Sequence, residues 1–434
     1  MGPGARRHGG RRGRAAVGVA IRAGAGVKPY DDLETRSEDR RAADLASALP
    51  DQVARAKALP GYATTLAGVD PASVAGRAAL AGLPILRKSD LGAAQAERPP
   101  GGGYFAGPAH AYAQLFQSPG PIYEPGQASH DWWRVGRFLH AAGIGPGDVV
   151  QNCFSYHLTP AGHIFENGAR AVGAAVVPAG TGQTDLQVRA AHDLGATAYA
   201  GTPDFLKAIL DRADEMGLDL ALTRAVVGGG ALFPSLRRAY ADRGIATLQN
   251  YATADLGQIA YESPAMEGMI VDEGVVVEIV RPGTGDPVPE GEVGEVVVTA
   301  LNPDYPLIRF ATGDLSAVLP GASPCGRTNM RIRGWMGRAD QTAKIKGMFV
   351  RPEQVAALVA AHPEVARARV VVTRDGEADR MTVQVESHGL DAAAVAASVA
   401  NHLRLRGEVE VVEPGSLPND GLVIEDRRDY GPPG

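Results

Sequence analysis

Between residues 148 and 251 the chain alternates short apolar blocks with longer amphipathic stretches. The blocks are 148–154, 174–178, 198–201, 225–228 and 247–251, and the amphipathic stretches are 161–172, 184–194, 203–216 and 234–242. Each block is too short for an exposed helix. The repeat of roughly 25 residues therefore predicts parallel strands joined by crossover helices, an α/β sheet covered on both faces. Upstream, residues 30–91 carry helical periodicity in alanine-rich segments (40–49, 51–59, 71–80) broken by proline and glycine. Downstream the period falls to two. Residues 271–280 and 294–300 alternate around a turn-rich 281–289, predicting a hairpin-linked β subdomain. The character changes again near Asp340. A strand-like 342–349, a helix over 352–362, strands at 367–373 and 381–386, a helix over 391–404 and a strand at 408–412 predict a small α+β unit. The expected organisation is an extension (1–29), a large domain (30–340) and a small mobile C-terminal domain (341–434).

In parallel sheets ligands gather at the carboxyl ends of the strands. This chain's unusual residues fall there: Ser155-Tyr156-His157, Gly180-Thr181-Gly182, Gly228-Gly229-Gly230 and Tyr251-Ala252-Thr253-Ala254-Asp255. The glycine run lets backbone approach a flat ring or a phosphate, or it is only a tight turn. The acid beside a hydroxyl in Thr253-Ala254-Asp255 suits a hard cation, or it caps a helix. Further on, Pro306-Leu-Ile-Arg-Phe-Ala-Thr-Gly-Asp314 is followed by Gly337-Arg338-Ala339-Asp340 and by Lys344-Ile345-Lys346-Gly347. Asp314 offers two acceptor oxygens for paired hydroxyls, and Arg338 a fixed fork of donors. The alternative for that pair is a salt bridge between domains.

In this order these motifs resemble the adenylate-forming ligase superfamily, most closely its phenylacetate–CoA ligase-like branch, over roughly residues 110–425. The resemblance implies ATP-dependent adenylation of a carboxylic acid, followed by thioester formation with CoA. It implies ATP, Mg2+ and CoA as cofactor and co-substrates, a small acid substrate with aromatic acids among the candidates, and a homodimer. By the same resemblance Gly228, Gly229 and Gly230 lie against adenine and Tyr251 stacks on it. Thr253 meets phosphate and Asp255 holds the metal. Asp314 and Arg338 bind ribose, Asp340 is the hinge, and Lys344 and Lys346 lie near the thioester-forming site. His157, at the end of the Cys153 strand, faces the presumed acyl pocket or is simply packed.

Two stretches depart from the pattern. Where a Ser/Thr/Gly-rich phosphate loop is expected, residues 115–125 read LFQSPGPIYEP. Three prolines remove backbone donors, and Glu124 repels phosphate. Near the C-terminus, Val411–Pro418 leads to Gly421-Leu422, placing Leu422 where the family carries a lysine that stabilises charge during adenylation. Restoring a cation there, Leu422→Lys, is expected to raise adenylation roughly a hundredfold. Together these departures support an alternative, a diverged non-catalytic member that binds a nucleotide or an acyl-adenylate.

Composition narrows the reading little further. The 434 residues are 45% hydrophobic and 21% charged with a net charge of −6, which argues for a globular protein and against nucleic-acid binding. Two cysteines, Cys153 and Cys325, make no disulfide framework and no metal-ligand spacing. No apolar run approaches ~18 residues, so no membrane helix is expected and a cytoplasmic location is. Residues 1–29 hold six arginines before the first acid, Asp31. They read as a transit-type segment, as disorder, or as an extension foreign to the native chain.

Overall fold

The computed structural model describes residues 28–428 apart from 231, 340, 342, 346, 347, 376 and 377. The arginine-rich segment up to residue 27, the expected hinge Asp340 and Lys346 lie outside the described residues.

The α/β class follows the apolar pattern. Among the described residues the main sheet has twelve strands. Its parallel half runs in the order Ala175–Pro178, Val149–Asn152, Ala198–Gly201, Arg224–Val227, Ala246–Thr253. Helices Ala161–Ala171, Thr184–Asp193, Pro203–Met216 and Pro234–Asp242 connect these strands. From Ala246–Thr253 the sheet continues antiparallel through Gly257–Glu262, Met269–Val271, Arg331–Ile332, Phe310–Leu319, Val293–Ala300 and Val275–Val280. The hairpin-linked strands expected around residues 281–289 thus do not stand apart. They extend the same sheet, because Val275–Val280 and Val293–Ala300 are buried along their full lengths and need cover on both faces. The expected single run from 271 to 280 is interrupted instead. Asp272 turns the chain, its carboxylate accepting the Gly274 N–H at 2.8 Å.

The N-terminal helices form a layer over the antiparallel half. Two segments expected to be separated at Pro50 are one helix, Glu38–Lys57. Proline there forfeits a hydrogen bond, yet Leu45, Leu49, Val53 and Ala56 keep one continuous buried stripe, and this tertiary contact holds the helix through it. The segment before it is pinned by buried charge. Glu34 accepts from Arg327 Nε (2.8 Å) and from the Tyr261 hydroxyl (2.5 Å), and Arg41 pairs with Glu273 at 3.0 Å.

Residues from Ala343 onward build a second core. A short hairpin, Ala343–Ile345 with Met348–Val350, precedes a four-stranded sheet in the order Glu408–Val412, Ala378–Glu386, Arg367–Asp375, Ile424–Asp426. Helices Pro352–Ala360 and Ala392–Leu403 cover it, and Val355, Leu358, Val395, Val399 and Leu403 supply the packing.

Candidate active site

The strand Phe310–Leu319 lies between the two halves of the chain's chemistry. Its Thr312-Gly313-Asp314 segment faces the end of the Ala246–Thr253 strand. The Tyr251 hydroxyl donates to Asp314 Oδ2 at 2.9 Å and lies 3.0 Å from Thr312 Oγ1. Arg338 Nη1 donates to Asp314 Oδ1 at 2.9 Å, and the Trp335 indole N–H reaches the same oxygen at 3.1 Å. Burial, and then the Asp314 charge, push the Tyr251 hydroxyl well above its ordinary pKa, so it stays a donor. Gly313 is required here. Its φ is +73°, and a Cβ would sit 2.8 Å from Arg338 Nη2. Tyr251, Asp314 and Arg338 therefore converge on one cluster. Trp335 completes it, and sequence reasoning missed that residue because it stands outside the quoted motifs, in the two-residue insert Trp335-Met336 between two glycines.

A second cluster lies beside the first. Residues 115–125, expected to hold a phosphate loop, form a β-hairpin, Gln114–Ser118 against Ile122–Gly126. Its Glu124 is 1% exposed and accepts a short bond from the Ser118 hydroxyl. Burial, with the charge of Asp255 adding to it, pushes the Glu124 carboxyl up to about 8, so it is largely protonated at neutral pH. The Asp255 carboxylate is fully enclosed, and Lys88 Nζ lies 2.9 Å from its Oδ2. Among the described residues, Glu124 Oε2, Asp255 Oδ1 and the Tyr305 hydroxyl have no hydrogen-bond partner. Lys88 is the second residue that sequence reasoning passed over. It stands in none of the quoted motifs, and only the parallel pairing of Leu86–Arg87 with Phe310–Ala311 brings it here.

Two cavities flank these clusters. One of about 460 Å3 is lined by Arg87, Lys88, Thr312, Gly313, Arg338 and Arg351, among others. The other, of about 180 Å3, is mostly apolar and is walled by Pro119, Phe154, Ile164, Phe165, Gly228 and Gly229, with Thr253 also on its lining. Phe154 and Phe165 stack at 4.2 Å. Gly228 must lack a side chain, since a Cβ would lie 2.2 Å from Asn250 Oδ1. Gly230 follows outside that lining, its carbonyl accepting from Gln249 at 3.1 Å. His157 is exposed and lines neither cavity; its backbone N–H caps back to Ser155 Oγ at 3.2 Å. Lys344 lies on the strand Ala343–Ile345.

Leu422 packs on the large domain, against Val293, Leu315 and Ala339. Nearby, the Val293 N–H donates to Asn419 Oδ1 at 3.0 Å and Gln341 Nε2 to the Gly421 carbonyl at 2.8 Å. Arg427 is committed to Glu425 at 2.7 Å, and Arg428 pairs with Asp426 and Asp379.

A sheet that turns from parallel to antiparallel beside a Thr-Gly-Asp strand, followed by a small α+β unit, is the architecture of adenylate-forming ligases. Solved structures of 2-hydroxyisobutyryl-CoA ligase share this fold, with a TM-score of 0.68 at 24% identity over 91% of this chain and 92% of theirs. Residues 142–302 match the family model described as AMP-binding enzyme. The phenylacetate-coenzyme A ligase of Thermus thermophilus is 32% identical over 337 residues, 74% of this chain and 75% of that protein. The enzyme of the same name from Aromatoleum evansii is 31% identical over 339 residues, 74% of each chain. The chain belongs to the phenylacetate–CoA ligase family of adenylate-forming enzymes.

Proposed function

We propose that this protein is an acid–thiol ligase. A carboxylate oxygen attacks the α-phosphorus of ATP and expels pyrophosphate, giving an acyl-adenylate. The thiolate of CoA then attacks the acyl carbon and expels AMP. The observation that carries this reading is the Asp314 cluster, a preorganised carboxylate with three donors around it at the edge of a cavity lined by Arg87, Lys88, Arg338 and Arg351 together with Asp90, Glu295 and Glu353.

In this reading the ribose hydroxyls donate to Asp314, which Tyr251, Trp335 and Arg338 hold oriented. Arg87, Lys88, Arg338 and Arg351 supply positive charge for the phosphates of ATP or CoA. Asp255, whose Oδ1 has no hydrogen-bond partner among the described residues, is the residue that would hold a divalent ion. Bound Mg2+ would neutralise charge building on the phosphates. The apolar cavity takes the acyl group. Its volume of about 180 Å3 slightly exceeds the roughly 150 Å3 that holds a benzene ring, and its stacked phenylalanines favour a single-ring aromatic acid. Among the described residues no helix is long and apolar enough to cross a membrane.

A second reading, binding without adenylation, is favoured by one pair of observations. Glu124 stands in the expected phosphate loop, and Leu422 packs against Val293, Leu315 and Ala339 where the family pattern carries a cation. ATP–pyrophosphate exchange over a panel of aryl and aliphatic acids decides between them. Acid-dependent exchange, strongest with a one-ring acid, supports the ligase. No exchange with any acid, together with tight binding of a non-hydrolysable acyl-adenylate, supports the binder.

A further inference from the structure

We infer that Cys325 is a modification site, a thiol that hydrogen peroxide oxidises to a sulfenic acid beside the Arg327 guanidinium. The inference goes beyond the ligase reading and does not depend on it. A half-buried cysteine alone is no site, but here a second observation accompanies it. Arg327 is 3% exposed, and two of its nitrogens are engaged: Nε donates to Glu34 Oε1 at 2.8 Å and Nη1 to the Cys325 sulfur at 3.6 Å. Its Nη2 has no hydrogen-bond partner among the described residues. A buried donor left without an acceptor is costly. This one belongs to the same planar fork that already touches the sulfur. An oxygen added to that sulfur brings the fork an acceptor.

The loop is arranged to keep the sulfur an acceptor too. Gly326, at φ +80°, turns the chain so that its N–H returns to the Ser323 carbonyl at 3.1 Å, and the Ser323 hydroxyl lies 3.1 Å from the sulfur. The Ser263 hydroxyl and the Arg327 backbone N–H also bond to it. Burial acts to raise the thiol pKa, but these bonds together outweigh it and bring the group below its ordinary value. Cys153 is the internal contrast, since it is 3% exposed and burial alone pushes it up to about 12. In the reaction the Cys325 thiolate attacks one peroxide oxygen. An S–O bond forms, the O–O bond breaks and hydroxide leaves, so that sulfur loses two electrons and peroxide gains them. Cys153 packs in a different core cluster, with Ala191, Tyr199 and Leu206, and is not there to resolve the sulfenic acid as a disulfide. The product therefore persists to be trapped. Cys325 lines neither of the cavities beside the Asp314 and Asp255 clusters.

The test treats the full chain with hydrogen peroxide and dimedone, which captures sulfenic acid, and reads each cysteine by peptide mass spectrometry, folded and in guanidinium chloride. Folded Cys325 is expected to label at least about ten times faster than folded Cys153, because rate follows thiolate fraction and access. It should also label about threefold faster than Cys325 in the unfolded chain, although folding makes it less accessible. Arg327→Lys keeps a cation for Glu34 and gives up the fork, and should slow labelling about fivefold. Ser323→Ala removes one donor and should slow it about twofold. Circular dichroism checks that each variant is folded, and if Arg327→Lys is not, Ser323→Ala decides. Labelling of Cys325 no faster in the folded chain than in the unfolded one overturns the inference, since the thiol would then be accessible without being activated. Folded labelling that the folded variants leave unchanged overturns it as well.

Discussion

The two polar clusters of the site lie beside each other and are finished to different degrees. Around Asp314 both carboxylate oxygens are met, by Arg338 and Trp335 on one and by Tyr251 on the other. Around Asp255 three enclosed oxygens, on Glu124, Asp255 and Tyr305, have no partner among the described residues. An unpaired buried acceptor costs about 1–3 kcal/mol, so a protein keeps such groups only where something arrives to satisfy them or where function outweighs stability. On the proposed nucleotide reading, the ribose side is preorganised before any ligand binds and the phosphate side awaits one.

If that contrast is right, the largest single loss comes from the completed cluster. Asp314→Ala should weaken AMP binding by about 3 kcal/mol, roughly a hundredfold, because charge-assisted bonds to the ribose are lost together. The fold should hold, since Arg338 is already half in water and Tyr251 can turn its hydroxyl wholly to Thr312. Calorimetry with AMP checks the first part and circular dichroism the second. An unchanged affinity would remove the ribose assignment.

The unfinished cluster should instead show itself in pH dependence. The Glu124 carboxyl titrates near 8 when folded, against 4.5 for a free glutamate. The folded chain therefore keeps a proton that the unfolded chain gives up. This contributes stability that is complete below pH 4.5 and is lost as pH rises through 8. Glu124→Gln mimics the protonated form and removes the dependence. Denaturant melts should agree between variant and wild type at pH 4.5, and at pH 9 the variant should be more stable, on the order of 2 kcal/mol after allowing for water entry. Parallel wild-type and variant curves across that range would mean that Glu124 is not enclosed as described.

Much of this contrast was legible in the sequence, and the reasons it was not all legible are physical. The alternation of apolar blocks and amphipathic stretches located the parallel strands closely, because uniform burial leaves a strong local pattern. The β-hairpin at 114–126 was not anticipated. Its prolines signalled the loss of a phosphate loop, but not that cross-strand pairing would take its place. Lys88 and Trp335 gave no local signal at all. Each reaches the site through a pairing with residues more than twenty positions away or through a short insert, and nearest-neighbour patterns do not carry such contacts. Leu422 was legible as a missing cation, whereas its docking on Val293 and Leu315 depends on how the C-terminal unit sits.

A smaller effect concerns the one ion pair in the unfinished cluster. Lys88→Met leaves the Asp255 carboxylate enclosed without a counter-charge, and Asp255→Asn removes the need for one. Because Lys88 is itself 38% exposed, water screens the pair, and the coupling should be only about 1.5 kcal/mol rather than the 3–5 of a fully buried bridge. A double-mutant cycle by denaturant unfolding measures it. Coupling near zero would make Lys88 a bystander, and its assignment to the phosphates would then need independent support.

The smallest effect is expected at Leu422, although the missing cation there suggested a large one. Leucine at this position has a structural task in the arrangement described, since it packs against Val293, Leu315 and Ala339. Leu422→Lys exchanges that apolar contact for a charge that can bend toward water, at a cost of about 1 kcal/mol to the docking of the C-terminal unit. Its ammonium does not reach the nucleotide unless the unit swings to another orientation. Pyrophosphate exchange should therefore change less than threefold, while limited proteolysis between the two units should become faster. A rise approaching a hundredfold would show that a second orientation is readily adopted and brings residue 422 to the phosphates. In that case the phosphate side lacks a cation in this chain, rather than being closed by the Glu124 hairpin, and the contrast between the two clusters would be one of charge instead of completion.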